Sequence, residues 1–134
     1  MIEYAERLDG VEPRHLDGFF VGWPNRPSPE RHLDLLRGSA AIVLARESDG
    51  RAVGFVNAVG DGVLSAYIPL LEVLPAYQGR GIGSELVRRL LARLADLYMI
   101  DVCWDAELEP FYRRLGFQPL DRGMGIRNYE AAAG

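Results

Sequence analysis

Glycines at 79, 81 and 83 punctuate the segment Gln78-Gly79-Arg80-Gly81-Ile82-Gly83-Ser84, just ahead of an amphipathic run. Glycine lets backbone approach a ligand closely, and the amides that open a helix point outward with a positive partial charge. Such a turn can cradle an anion. Two common anion loops do not fit it. A P-loop ends in Gly-Lys-Ser/Thr, but no lysine precedes Ser84, and the dinucleotide fingerprint needs a third glycine where Ser84 stands. Other reactive groups lie nearby in sequence: the carboxylates Glu72, Asp101 and Asp105, and the phenol of Tyr112. Cys103 sits in an apolar run with no histidine near it and reads as a buried structural thiol. His15 and His32 read as solvent-facing positions on helix surfaces. One cysteine and two distant histidines offer no metal-ligand spacing and no internal disulfide.

These groups need a scaffold, and the chain suggests one. Ile2 to Leu8 suits a short edge strand, and Leu16, Phe19, Phe20 and Trp23 recur at helical spacing. Ser28-Pro29 is a cap followed by a first helical residue, and Gly38 stops the helix it opens. The apolar runs Ala41 to Ala45 and Ala52 to Val59, joined at Ser48-Asp49-Gly50, form a hairpin. After Gly60-Asp61-Gly62, Val63 to Leu74 is a strand that Pro69 must interrupt, because proline has no amide to give to a ladder. The glycine turn then opens a helix whose apolar face runs from Leu86 to Tyr98. Met99 to Trp104 is a strand, and Leu108 to Leu115 a short helix ended by Gly116. Phe117 to Leu120 and Met124 to Tyr129 read as two closing strands.

At 134 residues with 49% hydrophobic content, the chain suits one domain with one core. A net charge of −4 without a basic run argues against a nucleic-acid surface, and it is compatible with a cationic acceptor of small size. The N-terminus lacks the basic and apolar regions of a secretory signal, and no apolar run could span a bilayer. The reading is a cytoplasmic protein with neither nucleic-acid nor membrane partner.

Val73-Leu74-Pro75 followed by Gln78-Gly79-Arg80-Gly81-Ile82-Gly83 resembles, in order and spacing, the CoA-binding motif of the GCN5-related N-acetyltransferase (GNAT) superfamily, Gln/Arg-x-x-Gly-x-Gly/Ala. Phe111-Tyr112-Arg113-Arg114-Leu115-Gly116-Phe117 is similar to that family's Phe-Tyr-x-x-Leu-Gly-Phe signature. The likeness extends over residues 41–130, while the first 40 residues share only a helical character. It implies a GNAT fold in the α/β class (α+β in some schemes). This is a central mixed, mostly antiparallel sheet of six to seven strands, splayed between the fourth and fifth and flanked by four helices. Residues 1–134 would form a single N-acetyltransferase domain.

The resemblance also implies roles. Backbone groups of Leu71 and Val73 would pair with the pantetheine arm of acetyl-CoA in the splay, beside Pro69. Gln78, Gly79, Arg80, Gly81, Ile82, Gly83 and Ser84 would hold the pyrophosphate, and Asp105 stands where relatives place a CoA-contacting asparagine. Tyr112 takes the position of the general acid that protonates the departing thiolate, and the Val73 amide that of the carbonyl polariser. Many relatives carry a glutamate base where this chain has Tyr67. Glu72 is the leading replacement, with Asp101, Asp105, a water relay or an already neutral amine as alternatives. Trp23, Asn25 and Arg26 fall in the loop that shapes the acceptor pocket of relatives, and Tyr67 and Asp61 could line it. The implied reaction is direct acetyl transfer from acetyl-CoA to a primary amine, on a small molecule or a peptide. The alternative is a non-catalytic acyl-CoA-binding or regulatory module. Relatives often dimerise through sheet edges or C-terminal strands, which makes Met124 to Tyr129 a homodimer candidate.

Overall fold

The computed structural model describes residues 1–120 and 123–133. Five strands and three α-helices follow one another as β1 (Glu3–Ala5), α1 (Pro29–Arg37), β2 (Ala41–Arg46), β3 (Ala52–Gly60), β4 (Ser65–Val73), α2 (Ile82–Arg93), β5 (Met99–Val102) and α3 (Glu109–Arg114). Single 3-10 turns stand at Pro13–Leu16, Pro75–Tyr77, Ala106–Leu108 and Tyr129–Ala132. The strands form one sheet in the order β1-β2-β3-β4-β5, with every pairing antiparallel except β4 with β5.

Alternation along β3 divides the core between the two faces of this sheet. A Cβ at Gly54 would stand 3.1 Å from Leu86 and 3.3 Å from Ile82, so glycine lets α2 press against the sheet. Phe55, the next residue, turns to the other face, where its ring meets Phe19 at 5.2 Å and His32 at 4.3 Å. α2 therefore covers one face, and α1 with the N-terminal segment covers the other. The buried leucines of α2, Leu86 and Leu90, repeat at helical spacing and supply the first of these layers.

The β2–β3 hairpin and the mixed sheet match the expectation, but the element count does not. Among the described residues there are five strands and three helices, not six to seven and four. Phe117 to Leu120 and the stretch from Met124 to Asn128 are irregular. Met124 and Ile126 are almost fully exposed, so their apolar character has no sheet face to fill. The helix expected across Leu16 to Trp23 is a 3-10 turn followed by bends. Gly18 (φ 92°), Phe20 (φ 63°) and Gly22 (φ 83°) lie in left-handed conformations that no α-helix contains. α2 ends at Arg93, and Tyr98 is exposed rather than part of its apolar face.

β4 and β5 are paired only from Ser65↔Met99 to Ile68↔Val102. On the other side β4 stays with β3, from Leu70 opposite Asn57 to Val73 opposite Gly54. Between Asn57 and Val59 the register shifts so that Ile68 and Pro69 together oppose Ala58, a bulge at the proline. Beyond it the two strands separate, as the resemblance implied.

Candidate active site

The separation exposes one edge of β4. Leu74 donates its amide to Val53 of β3 at 2.9 Å, so strand alternation turns the backbone groups of Leu71 and Val73 toward the free edge. The Val73 carbonyl on that side accepts Gln78 Nε2 at 3.0 Å. Gln78 thus braces the glycine turn against the end of the strand, while the Val73 N–H still faces the opening.

α2 begins where that edge ends. Its N-cap is Gly81 at φ 81°, and Gly79 is at φ 79°, a backbone path that other residues adopt only with strain. No side chain caps the helix, and its earliest internal bond runs from the Glu85 amide to the Gly81 carbonyl at 3.1 Å. The amides of Ile82, Gly83 and Ser84 therefore have no carbonyl one turn behind them. Gly83 is different from its two neighbours in motif. It has ordinary helical geometry, and a Cβ there would make only ordinary contacts, 3.7 Å to Phe111 and 3.8 Å to Val73. Packing does not demand glycine at 83, and its missing side chain leaves room at the mouth of the helix, which fits a bound pyrophosphate. Arg80 lies over the Tyr77 ring at 5.0 Å and donates to the Ala76 carbonyl at 3.3 Å, which sets a positive charge beside the turn. Glu85 would oppose an anion here, but Arg89 and Arg88 bind its carboxylate at 2.8 and 3.1 Å and hold it below its ordinary pKa.

Phe111, beside Gly83, places α3 against the same opening. The neighbouring residue Tyr112 is buried, with its ring packed edge-on against Phe111 and Phe117. Burial first, and then the charge of Tyr67, raise its phenol above the ordinary value, so it stays protonated at neutral pH. Tyr67 sits on the penultimate rung of the β4–β5 ladder. Its own phenol is raised by burial and by the Cys103 side chain, against an opposing pull from Arg127. Tyr67, Cys103, Tyr112 and Arg127 are thus one electrostatic neighbourhood. Cys103 is exposed just past the end of β5, not buried within a strand as its apolar context suggested.

The carboxylates are dispersed. Glu72 accepts the backbone amides of Phe20 at 2.8 Å and Val21 at 3.2 Å, one on each oxygen. Asp105 is exposed, and its carbonyl starts the turn before α3 by accepting the Leu108 amide at 2.9 Å. Asp61 caps its own loop, accepting the amides of Val63, Leu64 and Ser65, which lower its pKa to about 2. The histidines reverse the sequence reading. His15 is buried and accepts the Glu12 amide through Nδ1 at 3.0 Å. His32 is fully buried among Phe19, Phe20 and Phe55 with neither ring nitrogen bonded.

Trp23 and Asn25 wall a second cleft of about 330 Å³, opposite Arg127, Asn128 and Tyr129 of the C-terminal segment. Asn25 Nδ2 donates to the Tyr129 carbonyl at 3.4 Å, and Arg31 to the Ala131 carbonyl at 3.2 Å, tying the two walls together. Sequence reasoning found Trp23 and Asn25 but not Arg127. An isolated arginine in a stretch read as a closing strand carried no local signal, and only the fold brings it to the cleft. Among the described residues no group of three His, Cys, Asp or Glu side chains could hold a metal ion, and no helix is long and apolar enough to cross a membrane.

Comparisons with known proteins agree with this geometry. A crystal structure from Deinococcus radiodurans R1, assigned to the acetyltransferases, is 49% identical, with a TM-score of 0.95 over 99% of this chain and 92% of that one. A GNAT family acetyltransferase of Streptococcus pneumoniae TIGR4 is 31% identical, with a TM-score of 0.73 over 96% of this chain and 98% of its own. Serotonin N-acetyltransferase 2, chloroplastic, from Oryza sativa subsp. japonica is 38% identical over 102 residues, which cover 72% of this chain and 50% of that protein. The chain spans about half the length of the curated relatives it matches. The model of the acetyltransferase (GNAT) family matches residues 8–117, so the family pattern includes most of the first 40 residues and not only the later motifs. With the family model matched over that length and two solved relatives aligned along nearly the whole chain, the protein belongs to the GNAT acetyltransferase family.

Proposed function

We propose that the chain is an N-acetyltransferase that moves an acetyl group from acetyl-CoA directly to a primary amine in a ternary complex, within one domain spanning residues 1–134. The observation that carries this reading is the meeting of the free β4 edge with the uncapped N-terminus of α2. A pantetheine amide can add to Leu71 and Val73 as a strand would, while the amides from Ile82 to Ser84 and the charge of Arg80 receive the pyrophosphate. Gln78 and Gly79 hold the turn in that shape, and Asp105 is a further candidate contact for CoA.

Acetyl-CoA supplies the activated acyl carbonyl and a thiol leaving group. The Val73 N–H polarises that carbonyl as the amine attacks. Tyr112 gives its phenolic proton to the departing sulfur, a role that needs a phenol still protonated at working pH. Glu72 grips the Phe20–Val21 backbone and so sets the floor of the acceptor side. It is also the candidate base, beside a water relay or an amine that arrives neutral. Trp23, Asn25 and Tyr67 border the acceptor. The engaged carboxylate of Glu72 and the absence of a glutamate at position 67 favour a second reading, an acyl-CoA-binding module without turnover. A reducing, cytoplasm-like compartment suits the exposed Cys103 under either reading.

Parallel calorimetric titrations with acetyl-CoA, CoA and NAD test the assignment. CoA species alone should bind, and Gly83→Asp should abolish their binding. Binding of NAD without CoA would overturn the reading.

A further inference from the structure

We propose that the cleft between Trp23 and Tyr129 takes an aromatic primary amine that also carries a carboxylate, with Arg127 as the counter-ion of that carboxylate. This deepens the acetyltransferase reading and rests on it. The lining supplies two aromatic rings, Trp23 and Tyr129, and one charged side chain, Arg127. Among the described residues no carboxylate lines the cleft, so an ammonium group entering it would find a guanidinium there. The global charge of −4, which suits a cationic acceptor, is thus reversed locally.

Arg127 is placed to be used. Arg7, Arg14, Arg37, Arg88, Arg89, Arg93 and Arg113 each have an acidic partner. Among the described residues Arg127, like several other arginines, has none; it donates only to the adjacent Ile126 carbonyl at 3.3 Å and is the one arginine lining the cleft. Its planar fork fits a carboxylate through two parallel hydrogen bonds. The volume of about 330 Å³ lies at the small end of ligand sites and admits a single-ring or indole compound. The charge of Arg127 is also felt at Tyr67, which in turn acts on Tyr112, so the cleft's cation belongs to the same electrostatic neighbourhood. Pairing with Arg127 also cancels the ligand carboxylate's own stabilisation of its ammonium form. That eases loss of the proton where the candidate base, Glu72, is already bonded to two amides.

The test pairs L-tyrosine with tyramine and L-tryptophan with tryptamine, titrated into the CoA-loaded protein and assayed for acetyl transfer. At least one amino acid should bind 10-fold or more tightly than its decarboxylated partner, a difference of about 1.4 kcal/mol. The gap should close in Arg127→Gln and reopen in part in Arg127→Lys, with CoA affinity unchanged in both. Tighter binding of the decarboxylated amines, a gap that survives Arg127→Gln, or no binding of any of the four would overturn the proposal. A protein that fails to bind CoA at all overturns the underlying acetyltransferase reading, and the CoA titration records that separately.

Discussion

Glu72 and Phe20 are 52 positions apart, yet the carboxylate of one accepts the amide of the other at 2.8 Å and so holds Phe20 at a positive φ of 63°. A non-glycine residue is uncommon in that conformation and costs free energy to keep there. The Phe20 ring is buried against His32 and Phe55, so the bond ties the loop after Leu16 to the free-edged end of β4. Glu72→Gln leaves one acceptor where two amides need bonding, and should lower unfolding free energy by about 1–3 kcal/mol. Denaturant titration measures this. A fall in stability with kcat retained identifies Glu72 as a positioning residue, whereas loss of kcat in the folded variant identifies it as the base.

Tyr112→Phe separates turnover from binding. Removing a general acid should reduce kcat by about 10²-fold or more, while calorimetry finds CoA affinity unchanged. The wild-type phenol titrates above its ordinary value of 10.0, so activity that depends on its proton should hold through neutral pH and decline only on the alkaline side. Wild-type turnover in the variant would remove the acid assignment.

At Gly83 the aspartate substitution should leave the thermal midpoint unchanged or higher. The added Cβ makes only ordinary contacts, and a carboxylate in the first turn suits the helix dipole. The same negative charge stands where the pyrophosphate would lie. Undiminished CoA binding in a folded Gly83→Asp protein would argue against this turn as the cradle.

His32 gives the fold an acid sensitivity of its own. Burial lowers its folded pKa to about 4, against 6.5 for the free side chain. Between those values the unfolded chain binds a proton that the folded one refuses. Stability is therefore full above pH 6.5 and falls as pH drops toward 4, by about 3 kcal/mol at most. Asp61, whose pKa falls from 3.8 to about 2 on folding, contributes stability that is full above 3.8 and lost only below it, outside this window. Urea titrations from pH 8 to 4.5 should show the decline in the wild type and a flatter course in His32→Leu. Equal slopes would place the sensitivity elsewhere.

What the sequence disclosed depended on whether local pattern and burial agreed. In the β2–β3 hairpin they did, because continuous apolar runs flank a turn-forming Ser48-Asp49-Gly50 and both strands are buried. The spacing of Leu16, Phe19, Phe20 and Trp23 was misleading. Leu16, Phe19 and Phe20 share a buried destination while Trp23 is exposed, and Gly18 and Gly22 carry the chain through bends rather than a helix. His32 could not be placed from residue type, since nothing local says that an imidazole will sit unbonded among three phenylalanines. The glycine turn and Phe111-Tyr112 were legible because contiguous residues build each of them. The cleft between Trp23 and Arg127 was not, because its walls meet only once the chain has folded.

The bulge at Ile68–Pro69 has a kinetic meaning as well. By alternation from Leu71 and Val73, the missing N–H of Pro69 falls on the β5 side, just past the last rung at Ile68↔Val102. A strand pair that could zip onward would close the slot whenever it stood empty, and each arriving cofactor would first have to unzip it. The proline removes the next tooth. The opening is therefore a resting shape of the protein and not a rare fluctuation, so association can proceed at the rate of encounter rather than wait for the sheet to part.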